Sequence, residues 1–292
     1  ISMLNLGLAQ APTSEYKTTN TEVHFHNITI DSLEMIMKDY QKTMTLDSLW
    51  REQLTDQNYS KHLEKVIKDS LPFTKNTTEL STELLKQRLS VLNARTPFNI
   101  EYNESLESVI QYFLKREKSG TERLMGLSRF YFPMFEAIFD NYDIPLEMKY
   151  LALVESALNP RAKSRVGATG LWQFMYSTGK VYDLDVSSYV DERMDPIAST
   201  KAAAQYLKRL YTLFDDWDLA LAAYNSGPGN VSKAIRRSGG ETNYWKLRRY
   251  LPRETAGYVP SFQAMLYIHE YANEHNYHPA TPPSTYYGTD TI

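Results

Sequence analysis

The chain has 292 residues, enough for one large core or two domains, and its 42% apolar and 23% charged content is that of an ordinary globular protein. A formal net charge of −3 gives no basic field that would draw it to nucleic acid. The absence of cysteine excludes disulfides, thiolate metal sites, cysteine nucleophiles and thioether lipid anchors within this stretch. Tyrosine is abundant, 22 against 11 Phe. Its amphipathic ring suits a wet groove for a polar ligand such as sugar, and equally caps ordinary cores.

No window approaches the ~18 apolar residues of a transmembrane helix. The opening ISMLNLGLAQA ends in Ala9-Gln10-Ala11. It resembles the tail of a secretory signal with a small-residue cleavage site, or a frayed terminus. Residues 1–30 therefore read as signal remnant or disorder, with a short strand over Val23–His26. His24 and His26 have an H-x-H spacing that can ligate a metal, but no further ligand cluster lies nearby. Neither a metal nor a cofactor is expected.

From Asp31 the pattern turns helical, with Leu33, Ile36, Met37 and Tyr40 on one face. Further helices are expected at 45–55, 60–70 and 79–94, the last placing Leu80, Leu84, Leu85, Leu89 and Leu92 together. Thr96-Pro97-Phe98 breaks that helix, so a helical accessory region over 31–98 is set against a second domain over 99–280. Residues 104–118 and 121–141 read as long amphipathic helices whose stripes are core; Pro133 should kink or divide the second. Asn141 to Pro145 signals a helix over about 145–158, ended by Asn159-Pro160. Loop-rich sequence follows to 195. Helices are then expected from Asp195-Pro196 to Phe214, with Ala202, Ala203 and Ala204 packed closely, and at 216–225, 229–237, 241–249 and 254–275. Pro279, Pro282 and Pro283 mark a linker over 281–292. The fold class is all-α with at most a minor hairpin.

On the 145–158 helix, Ile144, Met148, Leu151, Val154 and Leu158 define an apolar arc, and Glu155 falls inside it. Desolvation and the nearby helix end would both disfavour its charge, as a general acid requires. A Glu paired with a buried Arg or Lys fits the helix equally well. The surroundings favour chemistry. Ser156 follows Glu155; Ser164 lies on the next loop; Gly167 and Gly170 permit tight turns. Trp172 offers a ring for a sugar face, or a core residue, and Gln173 a donor and an acceptor. Tyr224-Asn225 puts polar tips on an apolar helix, and Tyr258 lies on a later one.

Four motifs stand in order: Glu155-Ser156; Gly170-Leu171-Trp172-Gln173; Ala223-Tyr224-Asn225-Ser226-Gly227-Pro228-Gly229; and Glu254-Thr255 with Tyr258-Val259-Pro260. Together they resemble lytic transglycosylases of the soluble type, most nearly the membrane-bound transglycosylase D branch, over about 99–280. The resemblance implies a goose-lysozyme-like catalytic domain. It implies cleavage of the β-1,4 bond between N-acetylmuramic acid and N-acetylglucosamine in peptidoglycan, leaving 1,6-anhydromuramoyl ends. It makes Glu155 the single acid and then the base. Ser164 would position the acetamido group; Gln173, Tyr224 and Asn225 would hold the sugar; and Tyr258 would hydrogen-bond near the acid, with Ser156, Gly170 and Trp172 also in the substrate site. It places the protein in the periplasm or envelope, secreted through a signal peptide, with glycan strands as partner. It says little about residues 1–98, and the region 31–98 could occlude or extend the groove or dock an envelope protein partner. LysM modules, common after such domains, are not visible. A lysozyme-like hydrolase using a second acid and a water, or a non-catalytic glycan-binding scaffold, are the competing readings.

Overall fold

The computed structural model describes residues 80–116 and 118–281. The expected strand at Val23–His26, the helices at 31–40, 45–55 and 60–70, the His24/His26 pair and almost all of the 281–292 linker lie outside them. Ten α-helices and three 3₁₀ turns are found among the described residues: α1 Thr82–Arg95, α2 Glu104–Lys115, α3 Lys118–Asn141, α4 Leu151–Ser156, α5 Tyr176–Val181, α6 Pro196–Phe214, α7 Trp217–Ser226, α8 Pro228–Arg237, α9 Tyr244–Leu247 and α10 Arg253–Glu270. No strand forms among these residues, only isolated bridges such as Lys163 to Thr169 and Thr169 to Phe174. The all-α class holds.

Polar side chains start most of the longer helices. Ser81, Asn103, Asp195 and Asp216 each accept a backbone N–H from the first turn of α1, α2, α6 and α7. Pro196 occupies the first turn of α6, where its missing N–H costs nothing. The α1 stripe is narrower than expected: Leu85, Leu89 and Leu92 are buried, but Leu84 faces solvent. α3 runs through Pro133 as one helix and buries Met134, Phe135, Ile138 and Phe139. The expected division does not occur, because Met125 before Pro133 and these side chains after it bury into a shared core and offset the lost hydrogen bond.

The core is built around α7 and α10. Residues 219–223 of α7 are fully buried, and α10 packs on α2, α7 and α4. Ala202, Ala203 and Ala204 on α6 are buried as expected, letting α6 lie close against α7. The expected helix at 241–249 is instead the short α9 followed by a 3₁₀ turn, and α10 stops at Glu270 rather than 275.

Packing crosses residue 98 without a break. Phe98 packs against Phe262 of α10 with tilted rings, centroids 5.0 Å apart. The Asn99 N–H donates to the buried Asp218 carboxylate (2.9 Å), and the Asn99 carbonyl accepts from Trp245 (3.0 Å) and Gln263 (3.2 Å). Arg88 on α1 donates to the Tyr267 hydroxyl at 3.1 Å. Residues 80–98, the described end of the expected accessory region, thus share the core of the helices that follow.

Candidate active site

Glu155 lies in the last turn of α4. The helix expected over 145–158 is in fact a 3₁₀ turn, Leu146–Tyr150, followed by the six-residue α4. It ends because Ala157 and Leu158 both adopt left-handed backbone, φ 52° and 59°. Their N–H groups return to the carbonyls of Leu153 and Ala152 at 3.1 and 3.2 Å, satisfying the helix end. Two such non-glycine residues cost about 1–2 kcal/mol each. Burial of the Leu158 side chain helps offset this. Leu158 therefore reaches the core through a turn, not along a helical arc, and Val154 is only half-buried.

The carboxyl of Glu155 accepts a short hydrogen bond from the Tyr258 hydroxyl of α10. Its partner is thus a phenol, not the buried Arg or Lys that the helix pattern also allowed. Burial pushes Glu155 up to about 7; the Tyr258 hydroxyl works against this by favouring the carboxylate, and repulsion from Glu254 adds to the burial. The helix dipole contributes little from a helix this short. Tyr224 and Tyr258 are raised well above the ordinary phenol value, first by burial and then by the Glu155 charge. Both hydroxyls stay protonated as donors at neutral pH.

The GLWQ turn is fastened directly to α4. Ser156 Oγ donates to the carbonyls of Leu171 (2.9 Å) and Ala152 (3.1 Å). Gly170 has φ +85°, and a Cβ there would lie 1.7 Å from the Arg193 carbonyl oxygen, so only glycine fits. Arg193, buried, donates to the carbonyls of Gly167 (3.0 Å) and Phe174 (3.2 Å), and its other nitrogens grip Asp191 at 2.7–2.8 Å. Ser164 Oγ accepts from the Ala168 N–H at 3.0 Å, closing the preceding loop. Gln173, at φ 48°, folds its amide back onto the Gly170 carbonyl at 2.9 Å and is half-buried.

Trp172 corrects the sequence reading. It has no exposed surface, sits against Phe135 and Phe139, and donates its Nε1–H to Thr200 at 2.9 Å. It is a core residue with no free ring face for a sugar. Gly170 and Ser156 shape the backbone of the same turn. Tyr224 donates to the Trp172 carbonyl at 2.7 Å, tying α7 to the same turn.

Asn225 accepts from the Thr255 hydroxyl at 2.8 Å through Oδ1, and burial raises the neighbouring Glu254 carboxyl, with Asn225 opposing the shift. Glu254 is the residue that sequence reasoning missed. It stands in the fourth motif one helical turn before Tyr258, the spacing that puts two side chains on one face.

Residues 134–246 match the family model of the transglycosylase SLT domain. Glu155, the GLWQ turn and Tyr224-Asn225 fall inside it; Glu254 and Tyr258 follow it. The chain is 45% identical over 127 residues to the membrane-bound lytic murein transglycosylase D of Escherichia coli K12, covering 42% of this chain and 28% of that protein. It is 34% identical over 120 residues to the soluble lytic murein transglycosylase of the same organism, covering 39% of this chain and 19% of that one. The chain thus matches about a quarter of the length of these relatives. The 70 kDa soluble lytic transglycosylase structure from E. coli superposes with a TM-score of 0.44 at 24% identity, covering 72% of this chain and 34% of that one. No helix among the described residues is long and apolar enough to cross a membrane.

Proposed function

We propose that the SLT domain cleaves the β-1,4 bond between N-acetylmuramic acid and N-acetylglucosamine in peptidoglycan, in the envelope, and leaves a 1,6-anhydromuramoyl end. The observation that carries this is the Glu155 carboxyl, half-buried, raised to about 7 and held by Tyr258. A carboxyl near that value can act first as acid and then as base at neutral pH. Glu155 gives its proton to the glycosidic oxygen as the C1–O bond breaks, releasing the 4-hydroxyl of N-acetylglucosamine. The positive charge at C1 is stabilised by the substrate's own acetamido group, a substrate-assisted exception to the two-carboxylate scheme. Glu155, now a carboxylate, removes the proton of the C6 hydroxyl, whose oxygen closes onto C1. The proton returns to Glu155 and no water is consumed.

The polar groups around Glu155 fit this course. Tyr258 is placed to hold the carboxyl's orientation through both proton transfers. Gln173 and Asn225 are half-buried and present polar atoms for sugar hydroxyls, and Ser164 on its loop is the candidate for the acetamido group. The test is mass spectrometry of soluble products from purified peptidoglycan, with Glu155→Gln in parallel. Anhydromuropeptides from the wild type alone are expected. The proximity of Glu254 gives a second reading, lysozyme-like hydrolysis, a specific foothold; reducing-end muropeptides would establish it instead.

A further inference from the structure

A cavity of about 630 Å³ opens between α5 and α6, lined by none of the residues given a part in the reaction above. The helix repeat puts Tyr206, Arg209 and Leu213 on one face of α6, and Thr178 on α5 on the same side as Tyr182 just beyond it. Pro228, the first residue of α8, completes the lining. Packed rings and hydrogen bonds join this cavity to the candidate active site. The Tyr182 and Tyr206 ring centroids are 5.3 Å apart, and those of Tyr206 and Tyr224 are 5.2 Å apart. Phe174, next to Gln173, meets all three rings at 6.4–6.5 Å. Tyr224 donates to the Trp172 carbonyl at 2.7 Å, and Ser156, next to Glu155, donates to the Leu171 carbonyl at 2.9 Å. The cavity therefore begins one ring beyond Tyr224, within reach of a branch on a strand held at Glu155.

Two features set what the cavity can hold. Its surface is mostly apolar, with the rings of Tyr182 and Tyr206 half-buried and Leu213 exposed. Arg209 is exposed on it and forms no hydrogen bond or ion pair among the described residues. A planar guanidinium beside apolar walls suits a carboxylate carried on a small apolar group, which it can meet with two parallel hydrogen bonds. The sugar backbone of intact peptidoglycan offers hydroxyls and neutral acetamido groups. Its carboxylates lie on the short peptide stem of N-acetylmuramic acid, among small apolar side chains. We propose that this cavity holds that peptide stem, with Arg209 on a stem carboxylate, so that strands keeping their stems are favoured over bare glycan. This rests on the peptidoglycan reading of Glu155. It makes Arg209 a specificity residue and gives it no part in bond cleavage.

The test is Arg209→Gln, which keeps hydrogen-bonding capacity but removes the charge, with Arg209→Lys as the charge-keeping variant. Arg209 is exposed, so both should fold. Formation of anhydro ends is followed on peptidoglycan strands with their stems, and on the same strands freed of stems by an amidase, which bear only lactyl carboxylates. Independently of cleavage, binding of short stem-bearing and stem-free strands is measured by calorimetry in Glu155→Gln, with and without Arg209→Gln. The preference for stem-bearing strands should fall about three- to tenfold in Arg209→Gln, through KM and not kcat, and less in Arg209→Lys. The wild-type preference should shrink at high salt. An equal loss on both substrates would make the cavity a plain sugar subsite. A loss confined to bare strands would assign Arg209 to the lactyl carboxylate, and no change on either would leave it a surface arginine. Each of these three overturns the proposal. If the wild type forms no anhydro ends, the reaction assigned to Glu155 fails; stem-selective binding that needs Arg209 would still support the cavity's assignment, and its absence would overturn it.

Discussion

Tyr258→Phe tests how the site holds its acid. The substitution removes the hydroxyl that donates to Glu155 and leaves the buried ring in place. A hydrogen bond to a charged group contributes about 1.5–3 kcal/mol. At 1.36 kcal/mol per pKa unit, its loss should raise Glu155 from about 7 by about one to two units. The acid form is required for bond cleavage, so the alkaline limb of kcat/KM should move up by that amount. The carboxylate is required for closure of the C6 oxygen onto C1, and a less readily formed, less well-oriented carboxylate should lower kcat by about 10–100-fold. Both are read from initial rates of anhydromuropeptide release between pH 5 and 9. A limb that stays in place or moves down would mean that Tyr258 does not act on the ionised form of Glu155, and the account of the site would be wrong.

Three further outcomes follow from the scaffold. Asp218 is buried, and that burial first of all raises it to about 7 while the Asn99 N–H and Gln263 oppose the shift. A carboxyl raised on folding contributes most below its unfolded value, and that contribution is lost as pH rises from about 4 to 7. Asp218→Asn should therefore flatten the fall in urea midpoint over that window, because Gln263, whose Oε1 has no partner, can flip to meet the new amide; an unchanged slope would contradict this. Gly170→Ala should destabilise by about 3 kcal/mol or more through left-handed strain and collision with the Arg193 carbonyl, read as a lowered Tm. Trp172→Phe should cost about 2–4 kcal/mol through a cavity and the lost bond to Thr200, with KM for glycan unchanged while folded. A raised KM with intact stability would restore Trp172 as a sugar platform.

Much of the site was legible because its residues announce themselves locally. A glutamate among apolar positions, glycines before Trp172-Gln173, and polar tips on Tyr224-Asn225 each break a pattern, and the structure brings Glu155, Tyr224 and Tyr258 together. The rest depended on three-dimensional facts that local pattern does not carry. The turn at Ala157 and Leu158 uses two non-glycine residues in left-handed backbone, so periodicity ran straight through it. Trp172 points inward because Thr200, far along the chain on α6, holds its indole nitrogen. Glu254 sits ninety-nine positions after Glu155, and only the packing of α10 on α4 joins them. A boundary near 98 looked natural at Pro97, but Phe98 packs against Phe262 and Arg88 is bonded to Tyr267, both on α10.

The central claim, that one carboxyl serves as acid and base without consuming water, is tested most directly by digesting peptidoglycan in H₂¹⁸O and measuring the product masses at once. The account predicts anhydro ends that carry no heavy oxygen, formed by the wild type and not by Glu155→Gln. Reducing ends carrying one ¹⁸O would show that water attacks C1, and would contradict it.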